Sequence, residues 1–144
     1  MPENPPQGYP RLTPYILYED AGAAIAWLSR TFGFVERTEE TLRNPEGKIF
    51  HSAMSVEGDS LILLGTPPNY ESPHRHGRVY SQFYIYVDDV DAHYAFVKGA
   101  GARILGEPED THYGDRRYHV EDLEGHQWWF ATHIRDVPPG GGNP

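Results

Sequence analysis

The sequence contains no cysteine, and this absence excludes several kinds of chemistry at once. The chain forms no disulfides, holds no metal through thiolates and has no thiol nucleophile. Basic residues are also scarce, since 12 Lys and Arg stand against 21 Asp and Glu, for a formal net charge of −9. A phosphate backbone or an anionic membrane must be met by clustered Lys and Arg, so neither nucleic acid nor a membrane is an expected partner.

Long hydrophobic runs are missing as well. No apolar stretch approaches the roughly 20 residues that span a bilayer, and Met1 leads into a polar, Pro-rich stretch instead of a signal peptide. These features predict a cytoplasmic protein. Because Pro, Gly and Asn crowd both ends, residues 1–10 and 134–144 are predicted to be flexible tails.

What the chain does contain is an internal repeat. TPYILYED, starting at Thr13, resembles QFYIYVDD, starting at Gln82, at a shift of 69 residues (82 − 13). VEGDSLILLG from Val56 then matches LEGHQWWFAT from Leu123 at a shift of 67 (123 − 56). Two nearly equal shifts in the same order indicate a duplicated unit. Two copies of a sheet-forming unit are expected to enclose a cavity, and function is to be sought there.

Each copy predicts a strand, a helix and three further strands, and in module one the strand after the helix is predicted over residues 34–42. Residues 13–18 alternate β-forming side chains, and Asp20 is placed to cap the helix that follows. Residues 82–87 and Asp89 repeat this arrangement. The predicted domain spans residues 11–133. It consists of module one, a linker and module two, over residues 11–65, 66–80 and 81–133.

A duplicated strand–helix–three-strand unit resembles the vicinal oxygen chelate superfamily, which includes glyoxalases, extradiol dioxygenases and bleomycin-resistance proteins. The segments that carry the likeness are AIAWLSRTFGF, KIFHSAMSVEGDSLILLG, YVDDVDAHYAFVKGAGARIL and YGDRRYHVEDLEGHQWWFATH. The resemblance implies an α+β fold of two βαβββ modules that form a curved eight-stranded mixed sheet around a cavity. It also implies a homodimer. It leaves the reaction open, because the family spans isomerases, lyases, dioxygenases and pure binders.

Metal enzymes of this family place inward-pointing ligands on the first and fourth strands of each module. The corresponding positions here hold Thr13, Ile62, Gln82 and Trp129. Only Gln82 carries a suitable donor, and one amide oxygen does not hold a divalent ion. We therefore expect no metal site and no cofactor, which favours binding over metal catalysis.

The alternation of side chains along the strands predicts which residues face a ligand. Phe83, Ile85 and Val87 are apolar and are expected to pack under the helix, whereas the last strands are apolar on both faces and are expected to be buried on both. The predicted ligand-binding residues are Tyr15, His51, Leu64, Gln82, Tyr84, Tyr86, Tyr118 and Trp129. Aromatic walls with few polar groups suit a planar or extended organic molecule.

Histidine and arginine residues leave alternatives open. His51 lies in a predicted strand, either as a satisfied sheet residue or as a general base acting with a Tyr hydroxyl. Arg116 or Arg117 either anchors an anionic ligand group or pairs with Asp115 in a turn. A metal held outside the family positions would draw on His51, His74, His76 or His119, the pair His74 and His76 pointing the same way if their segment is extended.

The favoured function is a metal-free binder of a small aromatic or planar molecule, similar to bleomycin-resistance proteins. The alternative is a glyoxalase- or dioxygenase-like enzyme, a lyase or oxidoreductase, that works without metal or with ligands outside the family positions.

Overall fold

The computed structural model describes residues 2–138, which form two compact units. Unit 1 ends at His76 and unit 2 begins at Gly77, inside the segment 66–80 that the sequence predicts as a linker. Parts of both predicted tails, Met1 and residues 139–144, lie outside the described residues. None of the helices within residues 2–138 is long and apolar enough to cross a membrane.

Unit 1 is a five-stranded sheet with one long helix against one of its faces. Its elements in chain order are β1 (Tyr15–Leu17), α1 (Ala21–Phe32), β2 (Val35–Glu36), a 3-10 turn (Thr38–Glu40), β3 (Leu42–Arg43), β4 (Ile49–Val56), β5 (Ser60–Gly65) and the short helix α2 (Pro73–His76). The sheet order is β1-β5-β4-β2, with β3 paired to β4. The β1–β5 pair is parallel and the other pairs are antiparallel.

Unit 2 repeats this plan with four strands. Its elements are β6 (Gln82–Tyr86), α3 (Val90–Gly99), β7 (Arg103–Asp110), β8 (Asp115–Glu121) and β9 (Gln127–His133). The sheet order is β6-β9-β8-β7, and again the first strand pairs in parallel with the last. The predicted α+β fold with a repeated strand–helix–strand unit is confirmed.

One predicted strand, over residues 34–42, is broken into β2 and β3 by the 3-10 turn, so the described part of the chain contains nine strands. The break follows from the polar sequence at this point. Arg37 pairs with Glu40 across the turn at 3.1 Å, and the Thr41 hydroxyl donates to Glu36 at 2.6 Å. These local bonds compete with a continuous strand ladder.

Both predicted helix caps are confirmed. Asp20 Oδ1 accepts a hydrogen bond from the backbone N–H of Ala23 at 3.0 Å, and Asp89 Oδ1 accepts one from Ala92 at 3.1 Å. Each carboxylate satisfies an amide of the first helical turn that has no partner inside the helix. The two caps fix where each helix leaves its first strand.

The core of each unit lies between the sheet and its helix. In unit 1 the face towards α1 carries buried Ile16, Met54 and Leu64. In unit 2 the face towards α3 carries buried Trp128 and Phe130. The opposite faces, away from α1 and away from α3, are called here the open face of unit 1 and the open face of unit 2.

The segment that follows β5 is attached to unit 1 through Glu19. The Glu19 carboxylate accepts from the Ser72 amide at 2.8 Å and from Arg75 Nε at 2.7 Å. The Arg75 and Ser72 bonds lower the pKa of Glu19 from 4.5 to about 2. Because His74 and His76 lie in the helical turn α2 instead of an extended segment, their side chains do not point the same way, and the paired arrangement expected of them is not formed.

Candidate functional site

Tyr15 and His51 meet on the open face of unit 1. Tyr15 Oη lies 2.6 Å from His51 Nδ1, although the two residues belong to β1 and β4, on either side of β5. Gly65 of β5 lies opposite His51 in the ladder. A Cβ on Gly65 would stand 2.8 Å from Cε1 of Tyr15, so the absence of a side chain there lets the Tyr15 ring lie across β5.

A cavity of about 400 Å³ adjoins this pair, where β1 and β5 end. Its volume falls within the range of small-molecule sites. The lining residues are Tyr15, Leu17, Phe50, Gly65, Thr66, Pro67 and Pro68. The Thr66 hydroxyl accepts a hydrogen bond from the Ala21 amide at 2.8 Å, so the wall offers mainly aromatic and aliphatic surface.

The open face of unit 2 is built around Trp129. Tyr84 lies directly opposite Trp129 in the β6–β9 ladder, so both side chains share this face. The indole Nε1 of Trp129 donates to Gln82 Oε1 at 2.9 Å, and Gln82 Nε2 donates to Gln127 Oε1 at 2.9 Å. The Gln82 amide is therefore used at both ends in holding the indole.

A buried carboxylate anchors the tyrosines of the same face. Asp115, which is 2% exposed, accepts from Tyr84 Oη at 2.6 Å and Tyr86 Oη at 2.9 Å through Oδ2. Its Oδ1 lies 2.8 Å from His133 Nδ1, and His133 Nε2 lies 2.8 Å from Asp136. This network fixes two aromatic side chains that would otherwise rotate freely.

The pKa values of the network reflect these bonds. Burial acts to raise the pKa of Asp115, but the hydrogen bonds from Tyr84, His133 and Tyr86 outweigh it and the pKa lies below its usual 3.8. Burial and the bond to Asp115 raise the pKa of Tyr84, and the bond to Asp115 followed by burial raises that of Tyr86. Asp115 and then Asp136 raise the pKa of His133 above 6.5.

Arg117 lies among the aromatic rings of the open face of unit 2. Its guanidinium carbon is 3.9 Å from the ring centroid of Trp129, and 5.8 Å and 5.7 Å from those of Tyr84 and Tyr113. His119 stacks on Trp129 with centroids 3.9 Å apart and planes 3° from parallel. Burial, with a smaller contribution from the Arg117 charge, lowers the pKa of His119 below 6.5.

The two neighbouring arginines have different partners. Arg116 pairs with Asp91 and Asp110, each at 3.0 Å, which is a structural role, although its partners are not the Asp115 that the sequence suggested. Within residues 2–138, no carboxylate lies within ion-pair distance of Arg117. Arg117 is therefore the arginine that remains available to a ligand.

Two of the eight predicted site residues lie on the wrong face. Leu64 and Tyr118 are 0% and 1% exposed. Leu64 is opposite Ile16 on the face towards α1, and Tyr118 Oη lies 2.7 Å from Nδ1 of His93 in α3. Neither side chain is accessible from an open face. The prediction that Leu64 and Tyr118 contact a ligand is therefore wrong, because both side chains face a helix.

The error comes from a one-residue slip in the alignment of the two copies. The ladders place Tyr15 opposite Leu63 and Tyr84 opposite Trp129, so Leu63 is the counterpart of Trp129. The sequence alignment instead assigned Ile62, which is buried on the face towards α1. A slip of one residue moves every side chain of a strand to the other face.

The glycines of the hairpin turns caused this slip. The sequence match places Gly58 over Gly125. In the structure Gly58 lies at the centre of its turn, whereas Gly125 lies one residue after the centre of its own. The shift of 67 in the sequence pairs His51 with Tyr118 (118 − 51), whereas the ladders give a shift of 66 (117 − 51) and make Arg117 the counterpart of His51. Both residues lie on open faces.

The residues at the family's metal positions do not fit a metal ion. Gln82 has its amide oxygen taken by the Trp129 indole, and the Arg117 cation, 3.9 Å from a ring centroid of Trp129, would repel a metal ion there. Leu63, the counterpart of Trp129 in unit 1, has no donor atom. In residues 2–138 there is no group of three or more His, Cys, Asp or Glu side chains placed to hold a metal.

The structure brings six of the predicted residues onto open faces, as Tyr15 with His51 in unit 1 and as Gln82, Tyr84, Tyr86 and Trp129 in unit 2. Sequence reasoning missed Asp115 as a member of this site, left open whether His133 reaches a cavity or solvent, and did not separate Arg117 from Arg116. A signal for them was present, since Asp115 and Arg117 alternate with buried Tyr118 and Val120 along β8.

Comparisons with known protein families and structures agree on one family. The model of the Glyoxalase/Bleomycin resistance protein/Dioxygenase superfamily matches residues 11–130. An uncharacterized protein of Mycobacterium bovis is 30% identical over 133 residues, which cover 89% of this chain and 86% of that protein. An uncharacterized protein of Mycobacterium tuberculosis H37Rv is also 30% identical, over 89% of this chain and 77% of its own length.

Solved structures show the same fold. TioX from Micromonospora sp. ML1 matches with a TM-score of 0.64 and 31% identity, covering 85% of this chain and 99% of TioX. A glyoxalase/bleomycin resistance protein/dioxygenase family enzyme from Burkholderia phytofirmans PsJN matches with a TM-score of 0.65 and 19% identity, covering 83% of this chain and 95% of that one.

Proposed function

Because the chain belongs to the Glyoxalase/Bleomycin resistance protein/Dioxygenase superfamily, we propose that it binds a small planar or aromatic organic molecule without a metal ion. The observation that carries this proposal is the aromatic open face of unit 2. Tyr84 and Tyr86 remain 38% and 56% exposed there, next to Trp129. Ring pairs contribute about 0.5–1.5 kcal/mol beyond the burial of their area, so a flat ligand would gain from stacking on this surface.

The aromatic side chains are held in place before a ligand arrives. Gln82 fixes the Trp129 indole, and Asp115 fixes the hydroxyls of Tyr84 and Tyr86. Ordering a side chain on binding costs about 0.5–1.5 kcal/mol, and this cost is reduced where the side chain is already fixed. The hydrogen-bonded network therefore favours binding by a surface that is otherwise partly exposed to water.

A titration with neutral two-ring aromatic compounds, including naphthalene-2-carboxamide, tests this proposal. Binding should quench tryptophan emission, and Trp129→Leu should weaken the affinity by about tenfold or more, as expected for the loss of one to two stacking contacts with their burial. Trp27→Phe is the matched control, because Trp27 lies on α1 and contacts Phe32. Unchanged affinity in a folded Trp129→Leu protein would refute the proposal, and native mass spectrometry would identify any ligand that co-purifies.

A second candidate function is metal-free acid–base catalysis in unit 1. It is supported by the 2.6 Å contact between Tyr15 Oη and His51 Nδ1 beside the cavity of about 400 Å³. A histidine paired with a hydroxyl has the groups needed to take up and return a proton. Small carbonyl compounds incubated in D₂O should then gain deuterium next to the carbonyl, and both His51→Gln and Tyr15→Phe should abolish this exchange. Equal exchange in the variants and the parent would exclude this role.

We also propose that the protein is a homodimer, as the family resemblance implies. The cytoplasmic location stays a prediction from the sequence.

A further inference from the structure

We propose that Arg117 is a carboxylate-binding position on the open face of unit 2, so that the preferred ligand is a planar aromatic acid. This inference rests on the proposed function and adds that the ligand is negatively charged and that Arg117 binds the charged group. Three observations carry it: the position of the guanidinium, its lack of an anionic partner, and the rings around it.

The guanidinium lies over one aromatic ring and near two others. Its carbon is 3.9 Å from a ring centroid of Trp129 and within 6 Å of the ring centroids of Tyr84 and Tyr113. Stacking uses the flat faces of a guanidinium, whereas its five N–H donors point outward in the plane. Among residues 2–138, no acceptor takes a hydrogen bond from Arg117. The donor edge is therefore free for a ligand.

The charge of Arg117 is also not neutralised by its neighbours. Asp115, two residues earlier on the same face, has its two oxygens occupied by Tyr84, Tyr86 and His133. Glu109, opposite Arg117 in the ladder, is exposed and does not reach ion-pair distance. Arg117 is therefore a cation on an aromatic face without an acidic side chain at ion-pair distance in residues 2–138.

The geometry selects one kind of anion. A carboxylate accepts two parallel hydrogen bonds from the edge of a guanidinium, and such charge-assisted bonds are roughly twice as strong as neutral ones. If the carboxylate is attached directly to an aromatic ring, the ring and the guanidinium can lie in one plane. The ring then continues over Trp129 or Tyr84, which already lie beside Arg117. An aromatic acid thus uses the cation and the aromatic rings together.

Binding of naphthalene-2-carboxylate and of the neutral naphthalene-2-carboxamide, measured by calorimetry at low salt, tests this inference. The parent protein should bind the acid about tenfold more tightly than the amide, because the acid gains charge-assisted bonds. Arg117→Met should remove this preference by weakening the acid alone, and Arg117→Lys should keep part of it. Arg116→Met is the matched control and should keep the full preference, because Arg116 is paired with Asp91 and Asp110.

The outcomes separate the two proposals. Equal affinity for acid and amide in the parent protein, with both weakened by Trp129→Leu, would overturn the carboxylate position and leave the aromatic binding face intact. A preference for the acid that survives in both Arg117 variants would also overturn it. If neither compound binds, both proposals are contradicted.

Discussion

Replacing Asp115 with asparagine should destabilise the protein, because it removes a buried charge around which three side chains are arranged. The substitution preserves size and shape, so the backbone has no reason to move. The amide oxygen can still accept from Tyr84 and Tyr86, but the amide NH₂ replaces the oxygen that lies 2.8 Å from His133 Nδ1. The change in the free energy of unfolding therefore measures the loss of the Asp115 charge and not a change in side-chain volume.

The size of the loss follows from the bonds to the two tyrosines. Hydrogen bonds to a charged group contribute about 1.5–3 kcal/mol and neutral ones about 0.5–1.5 kcal/mol, so loss of the charge removes roughly 1 kcal/mol from each bond. Both values must be reduced for solvent, more so for Tyr86, which is 56% exposed, than for Tyr84, which is 38% exposed. We expect a total loss of about 1–2 kcal/mol in the free energy of unfolding.

The loss should also depend on pH, in a direction set by the pKa shifts. The pKa of Asp115 is lowered below 3.8, so its contribution is present above that value and is lost as the pH falls through the folded pKa. The pKa of His133 is raised above 6.5 by Asp115 and then Asp136, so its contribution is complete below 6.5 and is lost as the pH rises through the folded pKa. The difference between parent and variant should therefore be larger near pH 5 than near pH 9.

Urea unfolding of the parent and Asp115→Asn proteins at about pH 5 and about pH 9 measures both effects. Asp136→Asn is a matched control, because Asp136 contacts the same histidine from a fully exposed position and its loss should change stability little. If Asp115→Asn is as stable as the parent, or if the difference is the same at both pH values, the network does not stabilise the fold as argued.

Three further predictions follow from other parts of the molecule. Elemental analysis of the untagged protein should find no stoichiometric transition metal, and about one equivalent per chain retained after dialysis would contradict the assignment at Gln82 and Trp129. Light scattering should give twice the monomer mass of 16.4 kDa, and a monomer at micromolar concentration would contradict the dimer. Gly65→Ala should displace the ring of Tyr15 and break its bond to His51 while the protein stays folded. The nitrogen resonances of the His51 ring should then shift as they do in Tyr15→Phe, and unchanged resonances would show that the Tyr15 ring had not moved.

The repeat and the helices could be predicted from sequence because local chemistry determines them. Asp20 and Asp89 each stand before a helix, and a carboxylate in that position satisfies free amides whatever the tertiary context. The faces of β6 and β9 were also predictable, since Tyr84 alternates with half-buried Ile85 and Trp129 with buried Trp128.

The remaining errors concern features that depend wholly or partly on distant partners. The strand predicted over 34–42 is interrupted by the local Thr41–Glu36 bond and by a bond from Thr41 to Ser52, which lies in another strand. The alternation along β8 separates the faces of Arg116 and Arg117, but the partners of Arg116 were not predictable, because they lie on α3 and at the end of β7. The register of β5 and β9 was misjudged because turn glycines were used to align them.

The equivalence of His51 and Arg117 has an evolutionary consequence. A protein with one copy of this unit has a single residue at that position, whereas a duplicated chain can keep two and let them diverge. Here one copy holds an imidazole bonded to a tyrosine, and the other holds a permanently charged guanidinium on an indole. Substitutions at position 117 among relatives should therefore alter the choice of ligand charge without disturbing the Tyr15–His51 pair. Natural variation can then change the two copies of this position one at a time.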